Sequence, residues 1–230
     1  MRFAVVSLSA RSPEKLDADY IEWHCLDHHP EQYSIDGIRL GQRWVSTPAC
    51  RAARAVEHGR FDDVDHVMQY HFADPLDESL DAFFALGAEL HAAGRMPLRI
   101  PAVELGGYEL IDRCASPRAM IRPEVVPWRP ARGAYLVIER GDDHAELDAL
   151  CEIPGVAGAW RYRGGEFHRR LVDTTDLTLT VLYLDEEAVA TGIRVGGVLS
   201  DGWQSSATEP MLAAPFESIV PWAWDRALPR

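Results

Sequence analysis

The chain is poor in the features that announce a chemistry outright. Its 230 residues hold only four cysteines, Cys25, Cys50, Cys114 and Cys151, widely spaced and with no CxxC pair. That spacing argues against a disulfide framework or a zinc knuckle and suits free thiols in a reducing compartment. No run approaches the roughly 20 apolar residues that span a bilayer. The N-terminal apolar stretch is too short for a signal peptide and is cut off by Ser12-Pro13-Glu14-Lys15. Basic residues are outnumbered, 23 − 36 = −13. An acidic surface repels phosphate backbones and anionic lipid, so no nucleic acid and no membrane is expected as a partner, and the expected location is cytoplasmic. Gly106-Gly107, Gly164-Gly165 and Gly196-Gly197 lack a G-x-G-x-x-G pattern or a P-loop lysine. There is no H-E-x-x-H and no G-x-S-x-G. Nucleotide binding, zincin chemistry and the simplest serine hydrolase are therefore unsupported.

What is present reads as an ordinary globular protein, 47% apolar and 26% charged, long enough for one large domain or two small ones. Phe3 to Leu8 has the profile of a buried strand. Ser12-Pro13-Glu14 offers a helix start, and Leu16 to Gln32 has helical spacing, closed by Pro30 and Gly37. Ile38 to Thr47 and Val64 to Phe72 read as strands, Leu76 to Ala93 as an amphipathic helix, and Val103 to Ile111 as a fourth strand. The order is βαββαβ. A shorter version follows: strand Gly133 to Glu139, helix Ala145 to Cys151, strands Val156 to Arg163 and Leu177 to Leu184, a glycine-diluted helix Glu186 to Leu199, and strand Phe216 to Val220.

Val125-Val126-Pro127-Trp128 before the second unit echoes Ile219-Val220-Pro221-Trp222 at its end. With the matched element order this favours an internal repeat. The expected division is a first unit over 1–115, a proline-rich linker over 116–132 and a degenerate second unit over 133–230. The expected class is α+β, two ferredoxin-like βαββαβ units whose sheets cover one another, within one chain or between two.

The densest chemistry lies in Tyr20 to Pro30, Y-I-E-W-H-C-L-D-H-H-P. On a regular helix Tyr20, His24, Asp27 and His28 share a face, with His29 and Cys25 elsewhere. Facing the sheet, His24 or His28 could serve as a general base with Asp27 orienting it; facing water, the same residues make a solvated helix end packed through Trp23 and Leu26. Along Val64 to Phe72, His66, Met68 and Tyr70 share one side, and Val67, Gln69 and His71 the other. On the strand before it, Gln42, Trp44 and Ser46 share one side and Arg43 and Val45 the other. Arg43 could meet a carboxylate or enolate of a ligand, or form a surface salt bridge. His24 and His28 also have a spacing that can grip a metal with His66 or His71.

The aromatic-His-Pro helix (Trp23, His28, Pro30), the Ile35-Asp36-Gly37-Ile38 turn and Phe61-Asp62-Asp63-Val64-Asp65 resemble the EthD-like group of the dimeric α+β barrel superfamily. The likeness covers residues 1–112 best, and 133–222 look like a degenerate second copy. The group's W-x-x-x-H-x-P is W-x-x-x-x-H-x-P here, which leaves His28 and His24 both open as the group's histidine. The resemblance implies a pocket between sheet and helices, a homodimer, and chemistry of the kind run by cofactor-independent cyclases, isomerases, oxygenases and lyases on aromatic or polyketide-like molecules. Haem enzymes and proteins without activity also share this fold.

The resulting expectation is a lyase- or isomerase-type enzyme with no cofactor and no metal. It would run a His-mediated isomerisation, cyclisation, elimination or decarboxylation on a hydrophobic small-molecule substrate. His28, His24, Asp27, His66 and Tyr70 are the catalytic candidates, and Trp23, Trp44, Met68, Arg43 and Tyr20 the substrate-binding ones. The alternatives are a non-catalytic small-molecule binder and a haem- or metal-binding barrel.

Overall fold

The computed structural model describes residues 1–226. Nine strands form one sheet: β1 (Phe3–Ser9), β2 (Ile38–Val45), β3 (Val56–Glu57), β4 (His66–Phe72), β5 (Ala102–Ala115), β6 (Gly133–Arg140), β7 (Val156–Gly164), β8 (Leu177–Leu184) and β9 (Glu209–Ser218). The order is β2-β4-β1-β5-β7-β8-β6-β9-β3, and β2 also pairs with β9 through Trp44–Ser218 and Val45–Glu217. Eight strands thus close into a barrel within a single chain, and every pairing between named strands is antiparallel. Closure removes the open sheet edges that would otherwise recruit other chains.

In the first half β1, β2, β4 and β5 lie in the order β2-β4-β1-β5; in the second, β6 to β9 repeat it as β7-β8-β6-β9. These are two ferredoxin-like units, joined edge to edge where Tyr108–Ala115 of β5 runs against Gly158–Gly164 of β7. Their inner faces meet in one core containing Val6, Leu8, Val67, Leu136, Trp160, Tyr162, Val181, Tyr183 and Phe216. Each fully buried aliphatic side chain of this kind contributes about 1.5–3 kcal/mol.

Helices cover the outer faces: α1 (Asp17–Trp23), α2 (His29–Gln32), α3 (Pro48–Ala52), α4 (Leu76–Ala92), α5 (Leu147–Cys151) and α6 (Ala188–Trp203). Among the described residues no helix is long and apolar enough to cross a membrane.

Three sequence expectations need correction. The first helix starts at Asp17, because Ser12 to Lys15 form a turn in which the Ser12 Oγ accepts from the Glu14 N–H at 3.2 Å. The last strand is Glu209–Ser218, not Phe216 to Val220; Pro210 and Pro215 lie inside it and disguise it as a loop in a propensity reading. The first helical segment runs to Gln32, as its spacing predicts, but not as one regular helix. It passes through a π-helical turn, His24–His28, and continues into α2. A proline inside a helix cannot donate to the carbonyl four residues back, and its ring crowds that carbonyl. The wide turn, with the His29 N–H bonded to the His24 carbonyl five residues back, carries the chain past the obstruction.

Candidate functional site

The π-turn sets which side chains point inward. It inserts one residue into the helical count, so Tyr20, Trp23, His24 and His28 all face the outer surface of the first half-sheet. His29, assigned to another face on regular spacing, also turns in, with its ring 5.8 Å from both His24 and Tyr70. Gly41 makes room for it, since a Cβ there would lie 2.0 Å from His29 Nε2.

Below these rings lies a cavity of about 300 Å³, at the lower end of the range for small-molecule sites. Its floor is Ser7 and Ser9 of β1, Arg43 of β2, and His66, Met68 and Tyr70 of β4. Phe83 of α4 closes one side, and the segment between α4 and β5 forms a roof of Met96, Leu98 and Ile100 with Arg99 among them. Arg95 straps that segment to the helix by ion pairs with Asp27 (2.9 Å) and Glu31 (2.7 Å).

Two residues expected at the site belong elsewhere. Asp27 spends its carboxylate on Arg95, because the π-turn rotates it away from the imidazoles. Trp44 is only 2% exposed, but inside the barrel, its ring 6.3 Å from Tyr183. Strand alternation forbids Trp44 and its neighbour Arg43 from facing the same side. The carboxylate that does orient an imidazole is Asp17, which sequence reasoning missed: His66 Nε2 donates to Asp17 Oδ1 at 2.8 Å. The Ser12 N–H holds the same oxygen at 2.9 Å. The only sequence signal was an acidic residue in a first helical turn, ordinarily a response to the helix dipole.

Tyr70 OH and His24 Nε2 share a hydrogen bond at 3.3 Å, and Gln32 Nε2 donates to His28 Nε2 at 3.3 Å. The Nδ1 atoms of His24 and His28 are buried without a partner among the described residues. In either tautomer the Tyr70–His24 pair retains one proton and one lone pair that the protein does not use.

Burial pushes the pKa of His24 well below its ordinary value, with the Arg43 cation and the neighbouring imidazoles adding to the shift. Burial likewise lowers His28, partly offset by the Asp27 charge. His29 falls to about 4 through burial and Arg43. His66 is lowered by burial although Asp17 pulls it up. Burial would raise Asp17, yet the hydrogen bonds from His66 and Ser12 bring it below the usual carboxylate value. Burial also raises the Tyr70 phenol. At neutral pH the site therefore holds uncharged imidazoles, a protonated phenol and two arginines, Arg43 in the floor and Arg99 in the roof.

Metal and haem fit poorly. No group of three or more His, Cys, Asp or Glu among the described residues could hold a metal ion, which corrects the His24–His28 grip weighed from spacing. A haem needs an axial imidazole free to meet the flat face of the macrocycle. Here both nitrogens of His66 are bonded, Tyr70 holds His24 and Gln32 holds His28. The His28 ring is further covered by Trp23, stacked at 5.4 Å.

No family model and no curated protein matches this chain. Among solved structures it is similar to a chlorite dismutase-like protein, at 12% identity over 96% of each chain with a TM-score of 0.53. An anthrone oxidase-like protein matches at 11% identity over 95% of this chain and 92% of that one, TM-score 0.48. A monooxygenase-like protein from Lactobacillus acidophilus matches at 8% identity over 94% and 95%, TM-score 0.44. The likeness is one of fold. It is the dimeric α+β barrel fold of two ferredoxin-like units, as the strand order shows independently.

Proposed function

We propose that the chain is an enzyme of the EthD-like kind, built as units 1–115 and 133–230 about the linker 116–132. It moves a proton on a hydrophobic aromatic or polyketide-like molecule without an organic cofactor. The observation that carries this reading is the buried Tyr70–His24 pair beside His28, with unpartnered ring nitrogens, in a small cavity roofed largely by Met96, Leu98 and Ile100.

His28 or His24 acts as the base. Each is neutral at pH 7 because burial disfavours its cation, so the lone pair needed to take a proton is available. The anion that then forms on the substrate stabilises the new imidazolium, an attraction strengthened by the burial of His24. Tyr70 remains protonated and donates toward the substrate oxygen where charge develops. Trp23, Tyr20 and Met68 hold the flat part of the molecule. His66 is already bonded at both nitrogens, which suits it to positioning rather than to donating into the substrate. Positioned proton transfer of this kind typically supplies about 10²- to 10⁴-fold in rate. Loss of that proton can end in isomerisation, cyclisation, elimination or decarboxylation, and the substrate decides which. A homodimer accords with this fold, although the barrel does not need a partner to close.

The test is isotopic. The protein is incubated in D₂O with a panel of 1,3-dicarbonyl and hydroxyaromatic compounds, and carbon-bound deuterium and new products are read by mass spectrometry. Exchange with wild type, lost in the folded His24→Asn, His28→Asn double variant, is the expected result. Absence of exchange with every compound, or full exchange by the double variant, overturns the proposal. Binding without exchange would mark a small-molecule carrier instead.

A further inference from the structure

Arg43 lies at the floor of the cavity, 8% exposed, and no carboxylate among the described residues comes within ion-pair distance of it. Two other arginines with little-exposed side chains find more partners, although Arg161 likewise has no carboxylate within ion-pair distance. Arg54 pairs with Asp65 and Glu57, and Arg161 donates to Thr180 Oγ1 and the Ala145 carbonyl. Arg43 makes a single hydrogen bond, Nη2 to His66 Nδ1 at 3.4 Å, and its Nε is buried without a partner. The Tyr20 ring, with its centroid 4.8 Å from Cζ, supplies the remaining contact, a weaker compensation for a desolvated cation than a counter-ion.

The single hydrogen bond leads somewhere specific. An arginine can only donate, so His66 Nδ1 accepts and the His66 proton sits on Nε2, where Asp17 Oδ1 takes it at 2.8 Å. Asp17 fixes the tautomer of His66, and His66 fixes the guanidinium. The carboxylate steers the cation through a neutral ring without neutralising it by contact, so most of the guanidinium N–H groups stay free. An isolated buried charge is costly, and a site that keeps one preorganised and unpaired is built for a counter-charge from outside.

We propose that the cavity takes its ligand as an anion, with Arg43 as receptor for one negatively charged oxygen (carboxylate, phenolate or enolate) on a flat, otherwise apolar molecule, and with His66 and Asp17 as its positioning residues. This deepens the proton-transfer reading and rests on the same cavity. It specifies which end of the molecule sits on the β2–β4 floor: the charged oxygen lies by Arg43 and His66, and the apolar body lies under Met96, Leu98 and Ile100. An acidic carbon or hydroxyl next to that oxygen is then presented to the His24–His28 side.

The test needs no knowledge of the substrate. Calorimetry near neutral pH compares 2-naphthoate with its uncharged isostere 2-naphthamide. Wild type should favour the carboxylate by roughly tenfold or more, the usual range for a hydrogen bond to a charged group. Arg43→Met should erase that preference while leaving the amide's affinity within about twofold, and Arg43→Lys, which keeps the charge, should retain part of it. Asp17→Asn should shrink the carboxylate-to-amide ratio several-fold without moving the amide, an effect that general loosening of the fold would not give.

Equal binding of the two compounds by wild type, or an undiminished preference in Arg43→Met, overturns the inference and leaves the proton-transfer reading intact. Carboxylate preference without deuterium exchange on any compound does the reverse. Binding of neither compound also overturns the inference, and the deuterium-exchange result alone decides the proton-transfer reading.

Discussion

The two halves of the sheet share one strand order and present opposite outer faces. Over the first half, the long helical segment from Asp17 to Gln32 carries rings and imidazoles, and a cavity lies beneath it. Over the second half the corresponding space is solid. Tyr135, Val137, Leu147, Leu150, Cys151, Leu182, Val195, Leu199 and Ala213 pack together there. Helix α6 descends onto the sheet because Gly192 and Gly196 have no side chains; a Cβ at Gly192 would lie 2.7 Å from Pro215, and one at Gly196 2.9 Å from Ala55. The glycines that weaken α6 as a helix in the sequence are what let it close the gap. One half is packed for stability and the other holds open a polar hollow, although the two share one strand order.

That contrast can be broken most severely from the filled side. Leu182→Ala, at a fully buried position of β8, should cost about 2–5 kcal/mol in denaturant unfolding. Leu98→Ala in the cavity roof, where the side chain is only half-buried, should cost well under half of that and act on ligand affinity instead. Equal costs would mean that the cavity half is packed as tightly as its counterpart.

Glycines give the next largest effect. Gly41→Ala drives a methyl into His29 and should lose about 1–3 kcal/mol by overpacking. Gly197→Ala, on the open face of α6 with nothing within 4 Å, should be neutral or gain about 0.5–1 kcal/mol in thermal unfolding.

Acid sharpens the comparison further. The folded-state pKa values of His29 (about 4), His71 (about 3), His24, His28 and His66 all lie below the model-peptide value of 6.5. Between 6.5 and those values the unfolded chain binds more protons, so the stability they confer is complete above pH 6.5 and declines as pH falls toward 4. Each such histidine adds a slope of up to about 1.4 kcal/mol per pH unit. These five lie in the first half of the chain, so hydrogen exchange on lowering the pH should quicken first in β2 and β4. Uniform quickening across β6 and β8 would contradict the assignment.

The smallest effect concerns the strap. Arg95→Ala removes the ion pairs to Asp27 and Glu31. Exposed pairs of this kind add little to stability, so the melting temperature should barely move. The segment 94–100 should exchange amide protons faster, and a bound naphthoate should dissociate a few-fold faster. An unchanged dissociation rate would show that the roof does not retain the ligand.

Much of the fold was legible in local pattern. Strand alternation in β4 put His66, Met68 and Tyr70 on one side and Val67, Gln69 and His71 on the other, as they stand in the structure. The same rule placed Arg43 and Trp44 on opposite sides of β2, so choosing both as ligand contacts contradicted the pattern itself. Asp27 and His29 were misread for a different reason: a regular 3.6-residue period was carried through His24–His28, where the missing N–H of Pro30 forces a π-turn that changes the register.

The sequence by itself determined the layers, the repeated strand order and the gathering of imidazoles near the first helix, because periodicity and chain punctuation act over a few neighbouring residues. Only the tertiary structure decided that Asp17 rather than Asp27 serves an imidazole, that Arg43 is buried without a counter-ion, and that one half-sheet is hollow while the other is filled. Those outcomes depend on partners 23 to 49 residues apart, such as Arg43 and His66 or Asp17 and His66. Burial and charge are properties of such meetings, which no stretch of local pattern encodes.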